Sequence, residues 1–159
     1  MTHTEFAHAL DHVGLNVPDL EVAVDFFTSW LDGEVEFRMD RFIDPSGRAP
    51  ARLGAEAGAS FSLAMMRIGT GRLELLQWWT PEGQSTPPLS GRPDAVGAAH
   101  VGIHVDCVPT ALGRLRTAPG VVVLGEPVTF DEGPTPGLTN AFVTTPWGAL
   151  LELVSWGAR

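Results

Sequence analysis

The phrase "DHVGLNV" at 11–17 returns as "AHVGIHV" at 99–105, and "LELLQW" at 73–78 returns as "LELVSW" at 151–156. A repeat of this kind constrains the fold more than any local propensity, because each copy has to solve the same packing problem. The two leading histidines, His12 and His100, lie 100 − 12 = 88 positions apart in a chain of 159 residues. Two copies therefore account for nearly the whole length.

The segments between the repeated phrases match as well. "PDLEVAVDFFTSWLDG" has Pro18 and Asp19 as start signals, an apolar stripe of Leu20, Val24, Phe27 and Leu31, and a stop at Asp32-Gly33. "DCVPTALGRLRTAPG" carries Val108, Leu112 and Leu115 on one stripe and ends at Pro119-Gly120. Apolar stretches broken by turn residues follow: "GEVEFRM" and "ASFSLAMMRIG" in the first half, "VVVLGEPVTF" and "TNAFVTTPWG" in the second. The pattern strand-helix-strand-strand-strand, twice, predicts an α+β chain of two tandem βαβββ modules in one domain over 1–159. Module one spans about 8–79 and module two about 99–157. A Pro-, Gly- and Ser-rich linker covers about 80–98.

Composition narrows the partners. A formal charge of −9, no lysine and ten scattered arginines argue against nucleic acid, whose phosphates are bound by concentrated cations. No apolar run approaches membrane-spanning length, and the N-terminus lacks the basic start and apolar core of a signal peptide, so the expectation is a cytoplasmic protein without a membrane partner. The single cysteine, Cys107, is expected to be a small buried or half-buried side chain in a reducing compartment. Phosphate-binding loops, dinucleotide glycine patterns, zinc-type cysteine pairs and nucleophile elbows are all missing from the sequence.

Alternate residues of a strand face opposite sides. Val13, Leu15 and Val17 are expected under the helix, leaving His12, Gly14 and Asn16 together; likewise Val101, Ile103 and Val105 leave His100, Gly102 and His104. In the closing strands Glu74 shares its side with Leu76 and Trp78, and Glu152 with Val154 and Trp156. A carboxylate among such neighbours is costly to bury unless neutralised or paired. Two histidines and two glutamates at equivalent places in two copies would meet if the copies pack about a pseudo-twofold axis. A two-His, two-carboxylate set suits one divalent metal, with Zn, Ni, Co, Mn and Fe all acceptable. The alternating Phe61, Leu63 and Met65, with Trp78, Phe142 and Trp156, are candidate walls of an apolar substrate pocket. The segment 40–59 is longer than its counterpart, since the His-to-Glu spans are 74 − 12 = 62 and 152 − 100 = 52. A loop of this length is a candidate lid in which Arg41, Arg48 and Arg52 would meet an acidic or oxygen-rich substrate, but a plain solvated loop is the preferred reading.

On "HVGLNVPDLEVAVDFF", "LELLQW", "HVGIHV" and "TPWGALLELVSW", the chain resembles the vicinal oxygen chelate superfamily, which includes glyoxalase I, epimerases, extradiol dioxygenases and the fosfomycin and bleomycin resistance proteins. The resemblance implies paired βαβββ modules forming a curved mixed-sheet cup around a metal held by His12, Glu74, His100 and Glu152. It also implies a homodimer acting on a small molecule. The activity implied first is a metal-dependent isomerase or lyase of the glyoxalase I type, stabilising an enolate-like intermediate of a small oxygenated substrate chelated to the metal. Glu152 or Glu74 would serve as base, with Glu152 slightly favoured, and His104 as a second proton-shuttling candidate. Two alternatives stay open: an Fe(II) ring-cleaving dioxygenase, against which the absence of tyrosine counts, and a drug- or metabolite-binding resistance protein. The group's epimerases carry a further acid on a middle strand; "SFSLAMMRI" has none, which counts against an epimerase.

Overall fold

The computed structural model describes residues 9–81, 83–84 and 93–157. These fall into two compact units, Met1–Thr86 and Pro87–Arg159. Each holds one mixed sheet and a helix packed on it, in the order anticipated from the repeat.

In the first unit β1 (Val13–Asn16) leads into α1 (Leu20–Leu31), then β2 (Glu34–Phe42), a short α2 (Arg48–Arg52), β3 (Ser60–Ile68), β4 (Gly71–Thr80) and β5 (Gly83–Gln84). The sheet order is β1-β4-β3-β2, with β5 on β4. β1 lies parallel to β4, and the other pairs are antiparallel. α1 begins where Asp19, in extended backbone, accepts the Val22 N–H at 3.0 Å, satisfying one of the donors a helix start leaves open. It ends at Asp32, whose φ of 53° is left-handed and whose N–H bonds the Phe27 carbonyl. The left-handed residue is thus Asp32. Gly33 serves a different need, because a Cβ there would lie 3.1 Å from the Phe27 carbonyl oxygen and 3.2 Å from Met66 Cε.

The buried stripe of α1 is Leu20, Ala23, Val24, Phe26, Phe27 and Leu31, wider than the four residues expected. It covers the sheet face bearing Ala64, Met66, Leu73 and Leu75, all 4% exposed or less. Each large side chain so buried contributes about 1.5–3 kcal/mol, which is why the helix docks on this face. The opposite face is left for chemistry.

The second unit runs β6 (His100–His104), α3 (Val108–Leu115), β7 (Val122–Val123), β8 (Val128–Thr129), β9 (Leu138–Thr144) and β10 (Leu150–Trp156). Its order is β6-β10-β9-β7, with β8 also on β9. β6 lies parallel to β10, repeating the first unit. Val108, Leu112 and Leu115 are buried on α3 against Val143, Leu151 and Leu153, as the stripe predicts. The stretch "VVVLGEPVTF" does not form one strand. Gly125, at φ 115°, and Pro127 two residues on, which has no N–H to give a ladder, split it into β7 and β8.

Two further expectations change. Cys107 is exposed rather than buried, because it stands at the N-cap of α3, where the chain has just left the sheet and the side chain faces outward. The region read as a linker from 80 begins instead as a hairpin, with Gly83 and Gln84 pairing back on Thr80 and Trp79; residues 82 and 85–92 of it lie outside the described residues. The long segment 40–59 contains the end of β2 and α2, and Asp44 ties it by accepting from the Ser46 N–H and hydroxyl and the Ala49 N–H. Arg41 is held here too, its Nε on Ser60 Oγ at 2.9 Å and its guanidinium 4.7 Å from the Trp79 ring centre. Arg48 and Arg52 are exposed, at the two ends of α2. Among the described residues no helix is long and apolar enough to cross a membrane.

Candidate functional site

In the first unit the parallel register sets Gly14 beside Glu74, and His12 precedes β1 on the same face. A Cβ on Gly14 would lie in ordinary contact, 3.7 Å, with Glu74 Oε2, so the carboxylate lies close over this position of the strand. His12 Nε2 stands 3.6 Å from Glu74 Oε2, with the side chains 37% and 24% exposed. The other ring nitrogen, Nδ1, is 2.7 Å from Asp11 Oδ1. An ionised carboxylate only accepts, so Nδ1 donates, and Nε2 is the ring nitrogen that faces Glu74. The Asp11 carboxyl is held below the usual range, first by this hydrogen bond and then by the charges of His12 and Arg72. Arg72 is itself shared, its Nη1 3.9 Å from Asp11 Oδ2 and its Nε 2.9 Å from Glu36 Oε2.

The surroundings are apolar, as alternation predicts. Met65 is the cross-strand partner of Glu74, Leu63 of Leu76, and Phe61 of Trp78. The Phe61 ring lies 4.8 Å from that of Trp78 and 5.9 Å from that of Phe42. A polar contact also lies on this face, where Trp78 Nε1 donates to Asn16 Oδ1 at 2.9 Å.

The second unit repeats the pair with different supports. Gly102 lies beside Glu152, and His100 Nε2 stands 3.3 Å from Glu152 Oε2, with the side chains 49% and 18% exposed. Asn140 Nδ2 donates to the other carboxylate oxygen, Oε1, at 2.7 Å. Phe142 is the cross-strand partner of Glu152, and its ring meets His100 edge-on with centres 5.9 Å apart. His104 is exposed on the face of His100 and Gly102 and has no hydrogen bond or ion pair among the described residues. Trp156 is 42% exposed at the end of β10.

The structure thus brings His12 to Glu74 and His100 to Glu152, each within its own unit. Among the described residues neither unit by itself gathers three or more His, Cys, Asp or Glu side chains fit to hold a metal. Each supplies a pair. Metal–ligand distances of about 2.0–2.2 Å place neighbouring donors about 3.0–3.5 Å apart. His100 and Glu152, 3.3 Å apart, lie within that spacing and His12 and Glu74, 3.6 Å apart, just beyond it, and the donor types, imidazole nitrogen and half-buried carboxylate, suit a divalent transition metal. Sequence reasoning missed Asp11, Asn140 and the Asn16–Trp78 contact. Asp11 was readable as the one difference between "DHVG" and "AHVG"; Asn140 reaches Glu152 through a cross-strand register that no local pattern reveals.

Comparison with known proteins agrees with this architecture. The chain is 38% identical over 151 residues to a 2-epi-5-epi-valiolone epimerase from Actinomyces sp, covering 94% of this chain and 80% of that protein. Its fold matches that of a glyoxalase family protein from Bacillus cereus with a TM-score of 0.81 at 21% identity, over 99% of this chain and 100% of the other. It matches the trypanothione-dependent glyoxalase I of Leishmania major with a TM-score of 0.58 at 20% identity, over 94% and 87%. The profile of the Glyoxalase/Bleomycin resistance protein/Dioxygenase superfamily covers residues 9–153, and the chain belongs to that superfamily.

Proposed function

We propose that this chain is a metal-dependent epimerase acting on 2-epi-5-epi-valiolone, for which its Actinomyces relative is named, or on a similar small ketone. The observation that carries the reading is the duplicated His–Glu pair, His12 with Glu74 and His100 with Glu152, in a chain so similar to an epimerase. An epimerase inverts one stereocentre. The least costly way is to take up and return a proton at a carbon next to a carbonyl, a step that needs an acid–base group within hydrogen-bond reach of that carbon.

In this reading the four side chains hold one divalent ion, the second module coming from the same chain or from a second copy in a homodimer. When bound, the ion supplies Lewis acidity toward two neighbouring substrate oxygens. The chain's own residues do the rest. Asp11 orients His12, a glutamate exchanges the proton, and Phe61, Leu63, Met65, Trp78, Phe142 and Trp156 offer apolar walls that exclude water. The missing acid on β3 is no obstacle if one of Glu74 and Glu152 is the proton carrier, with His104 within the same face as a relay.

The test is direct. Protein stripped by chelator is incubated with 2-epi-5-epi-valiolone in D₂O, alone and with Zn²⁺, Ni²⁺, Co²⁺, Mn²⁺ or Fe²⁺, and followed by NMR. The expected result is metal-dependent formation of an epimer, with deuterium entering at one carbon beside the carbonyl. Turnover without deuterium uptake, or no reaction with any ion, overturns the proposal. Oxygen consumption with catechols would instead favour the ring-cleaving alternative.

A further inference from the structure

The two glutamates occupy matching positions, yet the structure gives them different freedom. Glu152 has both carboxylate oxygens engaged: Oε1 receives the Asn140 amide at 2.7 Å and Oε2 faces His100 Nε2 at 3.3 Å. Glu74 is met on Oε2 by His12 at 3.6 Å, and among the described residues nothing donates to its other oxygen. The cause lies in one cross-strand position. Asn140 is the partner of Val154 in the second unit, and Leu63 is the partner of Leu76 in the first. Val154 and Leu76 each follow their glutamate by two residues, so Asn140 and Leu63 are counterparts. Leucine has no donor to offer.

The histidines show the converse. His12 is braced by Asp11, whereas the residue before His100 is Ala99. The first unit therefore combines a fixed imidazole with a carboxylate that can turn. In the second, the carboxylate is the fixed member. The amide assignment follows from chemistry, since only the NH₂ of Asn140 can donate to a carboxylate oxygen.

We infer that Glu74 is the group that takes the proton from substrate and returns it, that Glu152 stays in place as a holding ligand, and that Asn140 is the positioning residue that keeps it there. This rests on the epimerase reading above and deepens it. A proton-transferring carboxylate has to turn an oxygen from its resting position to a carbon. Glu74 turns without losing a hydrogen bond, whereas Glu152 must first break the part-buried contact to Asn140. The assignment reverses the preference for Glu152 drawn from the resemblance.

The experiment compares Glu74→Gln, Glu152→Gln, Asn140→Ala and Asn140→Leu, the last being the residue type that the first unit carries there. Two quantities are read: affinity for Co²⁺ alone, by chelator competition with the Co²⁺ absorption spectrum, and deuterium exchange into 2-epi-5-epi-valiolone at saturating Co²⁺. Glu74→Gln is expected to slow exchange by about 10²–10⁴-fold. Its loss of Co²⁺ affinity should be smaller than that of Glu152→Gln. Both Asn140 variants should weaken Co²⁺ by about 10–100-fold, with an altered Co²⁺ spectrum, yet keep exchange once saturated. Exchange that survives in Glu74→Gln and vanishes in Glu152→Gln overturns the assignment. Parent-like Co²⁺ affinity in both Asn140 variants removes Asn140 from its role. A parent protein that binds no Co²⁺ and exchanges nothing fails at the earlier step, and sinks the epimerase reading along with this one.

Discussion

Asp11 Oδ1 lies 2.7 Å from one nitrogen of the His12 ring, and the other nitrogen of that ring lies 3.6 Å from Glu74 Oε2. The imidazole is thereby fixed in both tautomer and direction. Carboxylates in this position raise the basicity of a ligating histidine, and their loss typically weakens metal binding about 10–100-fold. Asp11→Ala is expected to fall in that range by chelator competition, and Asp11→Asn less far, because an amide oxygen can still accept from Nδ1. The Asp11 carboxyl is depressed, chiefly by the His12 hydrogen bond, so the brace is present above the ordinary Asp range and is lost only as pH falls through the depressed value. Between pH 7 and 5 the brace should therefore stay in place in the parent, and Asp11 itself takes up no proton there. Unchanged affinity in Asp11→Ala would show that the brace is ornamental.

Much of this was readable from particular residues. The repeated "HVG" and "LEL" phrases located β1, β4, β6 and β10, because duplicated strands keep the same inward positions. The stripes of α1 and α3 were read correctly, since helical burial follows a 3.6-residue period. What escaped depends on partners distant in sequence. Asn140 meets Glu152 only because β9 lies antiparallel to β10 in one register. The break between β7 and β8 was punctuated by Gly125 and Pro127, but its apolar flanks suggested continuity. The missing acid on β3 pointed away from an epimerase, whereas the 38% identical relative carries that name. A catalytic carboxylate does not have to come from a fixed strand if another on the same sheet face can reach the carbon.

The core under α1 makes a stability prediction. Phe27 is fully buried and meets Phe26 edge to face, with ring centres 5.3 Å apart. Phe27→Ala should cost about 3–5 kcal/mol through lost burial and the cavity left behind. Gly33→Ala should cost about 1–3 kcal/mol for a different reason, because its new Cβ would press on the Phe27 carbonyl, which as backbone cannot easily give way. Urea unfolding followed by tryptophan fluorescence measures both. A Gly33→Ala protein as stable as the parent would mean the α1–β2 turn has slack that its close contacts do not suggest.

Cys107 offers a probe that needs no substrate. It is exposed, and the Thr110 hydroxyl donates to Sγ at 3.2 Å, which with the Thr110 backbone contact holds the thiol below its ordinary range. A lowered thiol has more thiolate at neutral pH and reacts faster with a disulfide reagent. Thr110→Val removes the hydroxyl, so the midpoint of the labelling rate against pH should move upward and labelling at pH 7.5 should slow. The chain has one cysteine, so the signal is unambiguous. A profile that does not move would show that the backbone contact alone sets the thiol's acidity.

Asn16 is where substrate recognition can be tested apart from proton transfer. Trp78 Nε1 donates to Asn16 Oδ1, which fixes the amide so that its NH₂ is turned away from the indole on the face shared with Gly14 and Glu74. Beside the His12–Glu74 pair, two oriented donors suit a substrate hydroxyl or carbonyl oxygen. Asn16→Ala should raise KM for 2-epi-5-epi-valiolone by about tenfold, the worth of one neutral hydrogen bond at the upper end of its range, while Co²⁺ affinity stays at the parent value. Trp78→Phe should keep ring packing on Phe61 but release the amide, giving a smaller rise in KM. Asn16→Asp separates recognition from packing, since a carboxylate still accepts from Trp78 yet has no donor for substrate. It should therefore be at least as impaired as Asn16→Ala. If Asn16→Asp retained the parent KM, the amide would serve only to satisfy the indole, and the substrate's oxygens would have to be read elsewhere.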